Sequence, residues 1–264
     1  MLLNVENLSV GYGAKRALSE VGFTLARKEV LAIVGESGSG KTTVVRAVMG
    51  CLPSGSRVSS GKILFEGRDL LAFGTEERRQ ICGMEMSMIF QDSGSMINPI
   101  RRVGEQFIDY IRAHAPEKAP GEARGMAVSA LAGVYLPNPE GVMGLYPFEL
   151  SGGMSQRVGI AMSMAFSPKI LLADEPTSAL DVTTQAQIVR QILEVAERHD
   201  TAVIIVTHNL GVASYMADKI IVIRDGRIVE SGSRDEVIGS PKREYTKQLL
   251  SAVPTVGGKP YYAD

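Results

Sequence analysis

The run Gly35-Glu36-Ser37-Gly38-Ser39-Gly40-Lys41-Thr42 sets glycines, hydroxyls and one lysine at a spacing suited to phosphate capture. Glycines carry no Cβ, so successive backbone N–H groups can turn inward and wrap an anion. A helix starting at the end of the run adds free donors and a partial positive charge at the same point. Lys41 is then placed to reach the β- and γ-phosphates of a nucleotide, and the Thr42 hydroxyl to ligate Mg²⁺. Gly35, Ser37, Gly38, Gly40 and Thr43 complete the candidate binding set of this loop and helix start. The flanks agree. Glu29 to Val34 is apolar and β-branched, hence a buried strand, and Thr42 to Met49 reads as a helix closed by Gly50. Strand, GxxxxGK[ST] loop and helix together imply a bound nucleotide.

A second group ends the apolar run Ile170-Leu171-Leu172-Ala173-Asp174-Glu175. Carboxylates at the carboxyl end of such a strand stand where parallel sheets bind ligands. Alone they would read as a solvated strand end. With a phosphate loop upstream, Asp174 reads as holding Mg²⁺ through water, and Glu175 as polarising the water that attacks the γ-phosphate. In Leu150-Ser151-Gly152-Gly153-Met154-Ser155-Gln156-Arg157, Ser151 can cap the following helix while Gly152 and Gly153 let a phosphate approach exposed N–H groups. Tyr12 offers an aromatic face on which adenine could stack, although its place also suits an ordinary turn tyrosine.

The elements that must position these residues follow from periodicity. Leu3 to Val10 and Val21 to Leu25 read as strands paired across the Gly11-Tyr12-Gly13 turn. Pro53 to Gly61 reads as loop, Lys62 to Phe65 as a short strand, Glu76 to Cys82 as helix, and Met86 to Phe90 as a strand ending at Gln91. From Asp92 to Leu150 no strand pattern appears. Val103 to Ala113 and Ala123 to Leu136 look helical, separated by the polar Pro116 to Gly121 loop. Strand and helix alternation resumes at Lys169, and the next helix shows Val182, Ala186, Val189, Leu193 and Ala196 on one face. Ala202 to Thr207 and Lys219 to Ile223 are further apolar strands, which predicts a mostly parallel sheet covered on both faces. The fold class is therefore α/β: a P-loop core with a mostly parallel sheet, N-terminal antiparallel strands and an inserted helical subdomain. Residues 1–91 and 167–254 form the core, 92–166 the helical subdomain, and 255–264 a loosely held tail.

Composition narrows the class. A chain of 264 residues can bury a full core, and 45% hydrophobic with 22% charged residues is ordinary for a globular protein. A net charge of −1 gives no bulk attraction to nucleic acid or anionic lipid. No apolar run approaches the ~20 residues that span a bilayer, and Met1 to Glu6 lacks the pattern of a signal peptide. Cys51 and Cys82 are too few for a disulfide framework or a four-thiolate metal site, and they read as reduced thiols of a cytosolic protein. Any membrane role passes through a partner.

In these motifs and their order the chain resembles an ATP-binding subunit of an ABC transporter. Gly35 to Thr42 matches Walker A, Gln91 falls at the Q-loop, and Ser151-Gly152-Gly153 matches the signature. Ile170 to Glu175 matches Walker B, Ser178-Ala179-Leu180-Asp181 the D-loop, and His208 the switch histidine. The resemblance implies a head-to-tail dimer with two ATP molecules at its interface, Walker A of one subunit facing the signature of the other. It makes Tyr12 the adenine-stacking residue, Gln91 a sensor of Mg²⁺ and attacking water, His208 a γ-phosphate contact, and Asp181 a link across the dimer. His114 and His199 match nothing and read as solvated.

Asn98-Pro99, Tyr146-Pro147 before the signature, and Tyr245-Thr246-Lys247-Gln248-Leu249-Leu250 are similar to the peptide/nickel uptake branch. Met154 replaces the usual signature glutamine, as is common there. Arg243-Glu244 stands where the branch often has His-Pro, and the terminal cysteine cluster of some members is missing. The resemblance implies two integral membrane permease subunits, a second ABC ATPase or a second copy of this chain, and indirectly an extracytoplasmic substrate-binding protein. It implies peripheral attachment to the cytoplasmic face of the inner membrane, and no nucleic acid partner. Cargo stays open among peptide, nickel, another metal chelate and oligosaccharide. Two alternatives accompany this reading: an ATPase of a soluble complex, as in carbon–phosphorus lyase systems, and a non-transport ABC protein acting on DNA or ribosomes. The absence of long coiled coils and of a second ATPase unit in this sequence, and a charge that is not basic, rank the last lowest.

Overall fold

Antiparallel pairing dominates the start of the chain. The computed structural model describes residues 1–91, 97–178 and 180–252, and the backbone alone of 255–256 and 259–260. Strands β1 (Leu3–Tyr12) and β2 (Lys15–Leu25) pair from Leu3↔Leu25 to Tyr12↔Lys15. Both outrun the spans expected from sequence, because pairing recruits the polar residues beside the turn. Tyr12 is thereby the last residue of β1, and the turn is Gly13-Ala14. Buried Leu3 and Val5 fall on alternate positions, and so do Leu8 and Val10. Between the two pairs the register shifts at Asn7, whose φ is 47°. That bulge returns the later apolar residues to the core face, which strict alternation would have sent to solvent.

The chain divides into two compact units, Met1–Arg78 with Ala202–Asp264, and Arg79–Thr201. In the first, β3 (Val30–Val34) is followed by α1 (Lys41–Met49). Next, β4 (Ser56–Phe65) lies along β1 and carries β5 (Arg68–Asp69) on its other edge. Strand β4 is longer than the expected Lys62 to Phe65. Its first half, Ser56-Arg57-Val58-Ser59-Ser60, has a single apolar residue and so no hydrophobic pattern, and it is held by backbone bonds to β1. Helix α2 (Thr75–Ile81) follows.

In the second unit β6 (Met86–Ile89) is succeeded by helices α3 (Val103–His114), α4 (Pro120–Gly133), α5 (Pro139–Gly144) and α6 (Gly152–Met164). Strand β7 (Ile170–Asp174) pairs in parallel with β6, and α7 (Val182–Arg198) closes the unit. The cut at 78/79 and 201/202 groups β6, β7 and α7 with the helices. Lys169 and Ile170 N–H both donate to the Glu85 carbonyl, and the Ser163 hydroxyl donates to Met88 O at 3.1 Å. Helix α3 packs on α4 and α5, and α6 on β6 and α7.

Helix α4 begins at Pro120 rather than Ala123, with proline in its first turn and Glu122 Oε2 accepting the Ala119 N–H at 3.0 Å. Helix α5 has no counterpart in the sequence reading, although Asn138 followed by Pro139 is a helix-start signal. The face of α7 also differs from expectation. Ile188, Ile192 and Val195 form the buried stripe, flanked by Val189 and Ala196. Ala186 is exposed and Leu193 half-buried, and the side chain of Val182 lies outside the described residues. His114 is a correction too. It is half-buried, its ring 4.6 Å from that of Tyr110 and 5.7 Å from that of Phe166. His199 is exposed and hydrogen-bonded to the Ser167 hydroxyl at 2.8 Å.

Back in the first unit, β8 (Ala202–Thr207), α8 (Leu210–Met216), β9 (Lys219–Arg224) and β10 (Arg227–Ser233) follow. Helices α9 (Arg234–Gly239) and α10 (Glu244–Ser251) then complete the regular structure before a short β11 (Thr255–Val256) and β12 (Lys259–Pro260) pair. Strand β3 is parallel to β8 on one edge and to β9 on the other, while β10 folds back antiparallel. The β9–β10 turn is Asp225-Gly226, with φ of 49° and 74°, the left-handed pair that tight hairpins require. Strands β3 and β8 are almost wholly buried, as their unbroken apolar runs predict. Of the proposed tail, residues 257–258 and 261–264 lie outside the described residues.

Candidate functional site

The parallel register aims the loop. Val34 ends β3 opposite Thr207 of β8, so Gly35 and His208 leave the carboxyl ends of neighbouring strands together. Ligands collect at this end of a parallel sheet. Backbone crowding decides which residues the loop admits. A Cβ on Gly35 would lie 2.2 Å from the Ile223 carbonyl oxygen, and one on Gly40 2.8 Å from that of Ala17. Gly40 also has φ 108°, a conformation that costs other residues about 1 kcal/mol or more.

Gly40 precedes α1 without any side-chain cap, and the first turn holds no acidic residue. Gly40 itself thus offers the first N–H groups of α1 no capping atom, which leaves that end of the helix attractive to an anion. Lys41 is 4% exposed, and its Nζ donates to the Gly35 and Glu36 carbonyls at 2.8 and 2.7 Å. The cation is therefore stored inside the loop. The Ser39 hydroxyl is buried with no hydrogen-bond partner among the described residues, a cost of about 1–3 kcal/mol that an incoming polar group could relieve. Tyr12 shares a 3.0 Å hydrogen bond with the Thr43 hydroxyl, tying the end of β1 to the first turn of α1.

His208 is exposed just beyond β8. Asn209 follows, its Oδ1 accepting the Gly211 N–H at 2.8 Å to start α8. The histidine is thus fixed between a buried strand and a capped helix.

The remaining candidates belong to the second unit. Asp174 closes β7 at 5% exposure. Glu175 has φ 46°, a left-handed backbone in a side chain that disfavours it, and the Ser178 N–H donates to its carbonyl at 3.2 Å. Such strain concentrates at functional positions. Ser151 Oγ accepts the Met154 N–H at 3.3 Å, capping α6. Asp181 caps α7, accepting from the Thr184 N–H at 3.0 Å and from its hydroxyl at 2.6 Å. Those bonds, the hydroxyl's foremost, hold the Asp181 carboxyl below the usual aspartate range. The two caps are neighbours: a side chain on Gly153 would come 3.2 Å from the Thr184 methyl, and one on Gly152 3.5 Å from Leu180. Ala179 of the expected D-loop lies outside the described residues. Gln91 is exposed beyond β6.

Sequence reasoning overlooked the groups behind the loop. Glu36 N–H donates to the Tyr245 hydroxyl at 3.0 Å, and Gly226 N–H to the Ser39 carbonyl at 2.9 Å. The sequence reading named neither the β9–β10 turn nor its contact with the loop.

A glycine cradle over a buried lysine, set between a parallel strand and an uncapped helix, is the construction of the P-loop nucleotide-binding class. Within that class the chain belongs to the ABC transporter family, whose profile matches residues 18–178. It is 42% identical over 257 residues to the dipeptide transport ATP-binding protein DppD of Escherichia coli (strain K12), spanning 96% of this chain and 78% of that one. It is 43% identical over 261 residues to the oligopeptide transport ATP-binding protein OppD of Bacillus subtilis (strain 168), spanning 97% and 72%. Among solved structures, the dimeric post-hydrolysis ATP-binding cassette MJ0796 bound to ADP and Pi superposes with TM-score 0.76 at 27% identity, over 88% of this chain and 99% of that one. The cbiO1 protein from Clostridium perfringens, part of the ABC transporter complex cbiONQ, gives 0.76 at 28% identity, over 90% and 91%. The chain is an ATP-binding, ATP-hydrolysing subunit of this family. Among the described residues no helix is long and apolar enough to cross a membrane.

Proposed function

We propose that this chain powers an importer of the peptide/nickel type, with peptides as the cargo class that its relatives' names favour. The observation that carries its ATPase half is Lys41, stored beneath the uncapped start of α1 in a loop admitting only glycine at its crowded points, while the importer half rests on the similarity to peptide transport ATP-binding proteins. Lys41 holds the β- and γ-phosphates, Gly35, Ser37, Gly38, Gly40 and Thr43 shape the cradle, and Tyr12 stacks on adenine. Thr42, Gln91 and Asp174 offer only oxygen donors, a set that suits Mg²⁺. When bound, that ion neutralises charge on the phosphate oxygens. Glu175 polarises the attacking water, and His208 contacts the γ-phosphate. Ser151, Gly152 and Gly153 address the ATP held by an opposing subunit, and Asp181 links the two sites.

In this reading residues 1–91 and 167–254 act as the ATPase core and 92–166 as the helical subdomain facing the membrane subunits. The partners are two permease subunits at the cytoplasmic face of the inner membrane and a second ATPase, similar or identical, with an extracytoplasmic binding protein acting through them. ATP binding closes the dimer and hydrolysis reopens it, which is the work delivered. A Glu175→Gln variant is expected to keep ATP affinity and lose turnover by about 10²–10⁴-fold; turnover within tenfold of wild type would remove Glu175 from that role. Affinity purification from detergent-solubilised membranes tests the assembly. Two multi-spanning proteins and a second ATPase are expected, and a wholly soluble set of companions would favour the carbon–phosphorus lyase alternative.

A further inference from the structure

Helix α10 carries the terminal part of the family resemblance and has no role in the function above. Its buried residues are Tyr245 and Thr246. Thr246 donates its hydroxyl to Glu230 of β10, which also accepts the Lys242 and Arg243 N–H groups at 2.7 and 3.1 Å. Arg243 Nε donates to the Val229 carbonyl at 3.1 Å. These bonds lock the start of α10 onto β10. From that anchorage Tyr245, 6% exposed, reaches the phosphate loop, its hydroxyl accepting the Glu36 N–H at 3.0 Å. The Arg224 guanidinium lies 4.7 Å from the centre of its ring. Burial, above all, pushes the phenol up from its ordinary value, so the hydroxyl stays neutral.

A second brace meets the loop further along. Gly226 N–H donates to the Ser39 carbonyl at 2.9 Å, while the Gly226 carbonyl accepts the Ser19 N–H at 2.8 Å. The loop backbone is thus pinned at Glu36 by α10 and at Ser39 by the β9–β10 turn, with Ser37 and Gly38 between the pins. A glycine-rich loop has many competing conformations, and ordering it at the moment of binding would weaken affinity. We propose that Tyr245 is a positioning residue for the nucleotide. Its hydroxyl fixes the Glu36 peptide, so the loop's N–H groups are already turned inward when ATP arrives. The inference rests on the reading of this loop as the nucleotide site and adds α10 as its external clamp.

Titration of the full chain with a fluorescent ATP analogue, beside steady-state turnover and thermal unfolding, tests it on three variants. Tyr245→Phe removes only the hydroxyl. It is expected to weaken binding and raise KM by about two- to tenfold, the ratio one net hydrogen bond represents, with kcat at saturating ATP within twofold of wild type. Thr246→Val leaves the phenol in place and loosens its anchorage, so affinity should shift the same way by less. If Tyr245→Phe lowers the unfolding temperature but leaves affinity within 1.5-fold (roughly the scatter of such titrations), the residue is merely structural and the proposal fails. Lys41→Ala separates the two levels of inference. Lost binding there with unchanged binding in Tyr245→Phe overturns the clamp alone, whereas retained binding in Lys41→Ala overturns the nucleotide site and the clamp with it.

Discussion

Helices α1 and α6 both begin beside glycine, yet their first turns are finished differently. At α1 the residue before the helix is Gly40, which offers no capping atom. At α6 it is Ser151, whose hydroxyl already accepts the Met154 N–H. The first end is built around its own lysine. The second is complete within its own chain and contributes no cation of its own in the first turn. An uncapped amino end with a stored charge suits a ligand bound by this chain alone. A capped end flanked by glycines suits a ligand that another subunit presents.

The contrast breaks most sharply at Lys41. Lys41→Ala should weaken nucleotide binding by about a hundredfold, since charge-assisted bonds to phosphate contribute most at such a site. Equilibrium titration of the isolated chain checks this, and near-normal affinity would erase the distinction between the two helix starts. Ser151→Ala sharpens it from the other side. Loss of the cap should cost about 1 kcal/mol of stability. Turnover should fall by about tenfold while the single chain binds nucleotide within twofold of wild type, because the serine serves the opposing site. Equal losses in both variants would merge the two roles.

A smaller effect concerns acid. Burial raises the Glu230 carboxyl, but bonds from the Thr246 hydroxyl and the Lys242 and Arg243 N–H groups outweigh it and hold the group below the ordinary glutamate range. A lowered folded value means the stabilisation is complete above the unfolded value of about 4.3 and is lost as pH falls through the folded one. The unfolding temperature of Glu230→Gln should lie below wild type at about pH 6, and the gap should narrow as pH falls below the unfolded value of about 4.3. A gap independent of pH would remove the carboxylate from the anchorage of α10.

The elements that carry the candidate residues were legible because their signals are local. The phosphate loop, the Walker B strand and Ser151 each declare themselves within a few residues, and the buried β3 and β8 follow from unbroken apolar runs. Strand β10 was not legible. After Arg227, Ile228 and Val229 it runs Glu230-Ser231-Gly232-Ser233, with no apolar alternation, and its partner β9 supplies the pairing. The face of α7 was misplaced because leucine and alanine spacing fits two overlapping stripes, and only packing selects the one through Ile188 and Ile192. The bond from Glu36 to Tyr245 joins positions 209 apart, a relation that no local pattern encodes.

The discontinuity of the first unit has a consequence during synthesis. The second unit is one uninterrupted stretch, Arg79–Thr201, and its contacts can form as soon as that stretch has left the ribosome. The phosphate loop is translated earlier, yet the strands flanking β3, the turn that pins Ser39 and the tyrosine that pins Glu36 are translated only after that stretch. Closing so long a loop of chain is slow and entropically costly. A nascent chain therefore carries the nucleotide motif well before it can grip a nucleotide. The frame of the loop is complete only once β8, β9 and the Asp225-Gly226 turn have been made, and the brace from Tyr245 is added later still.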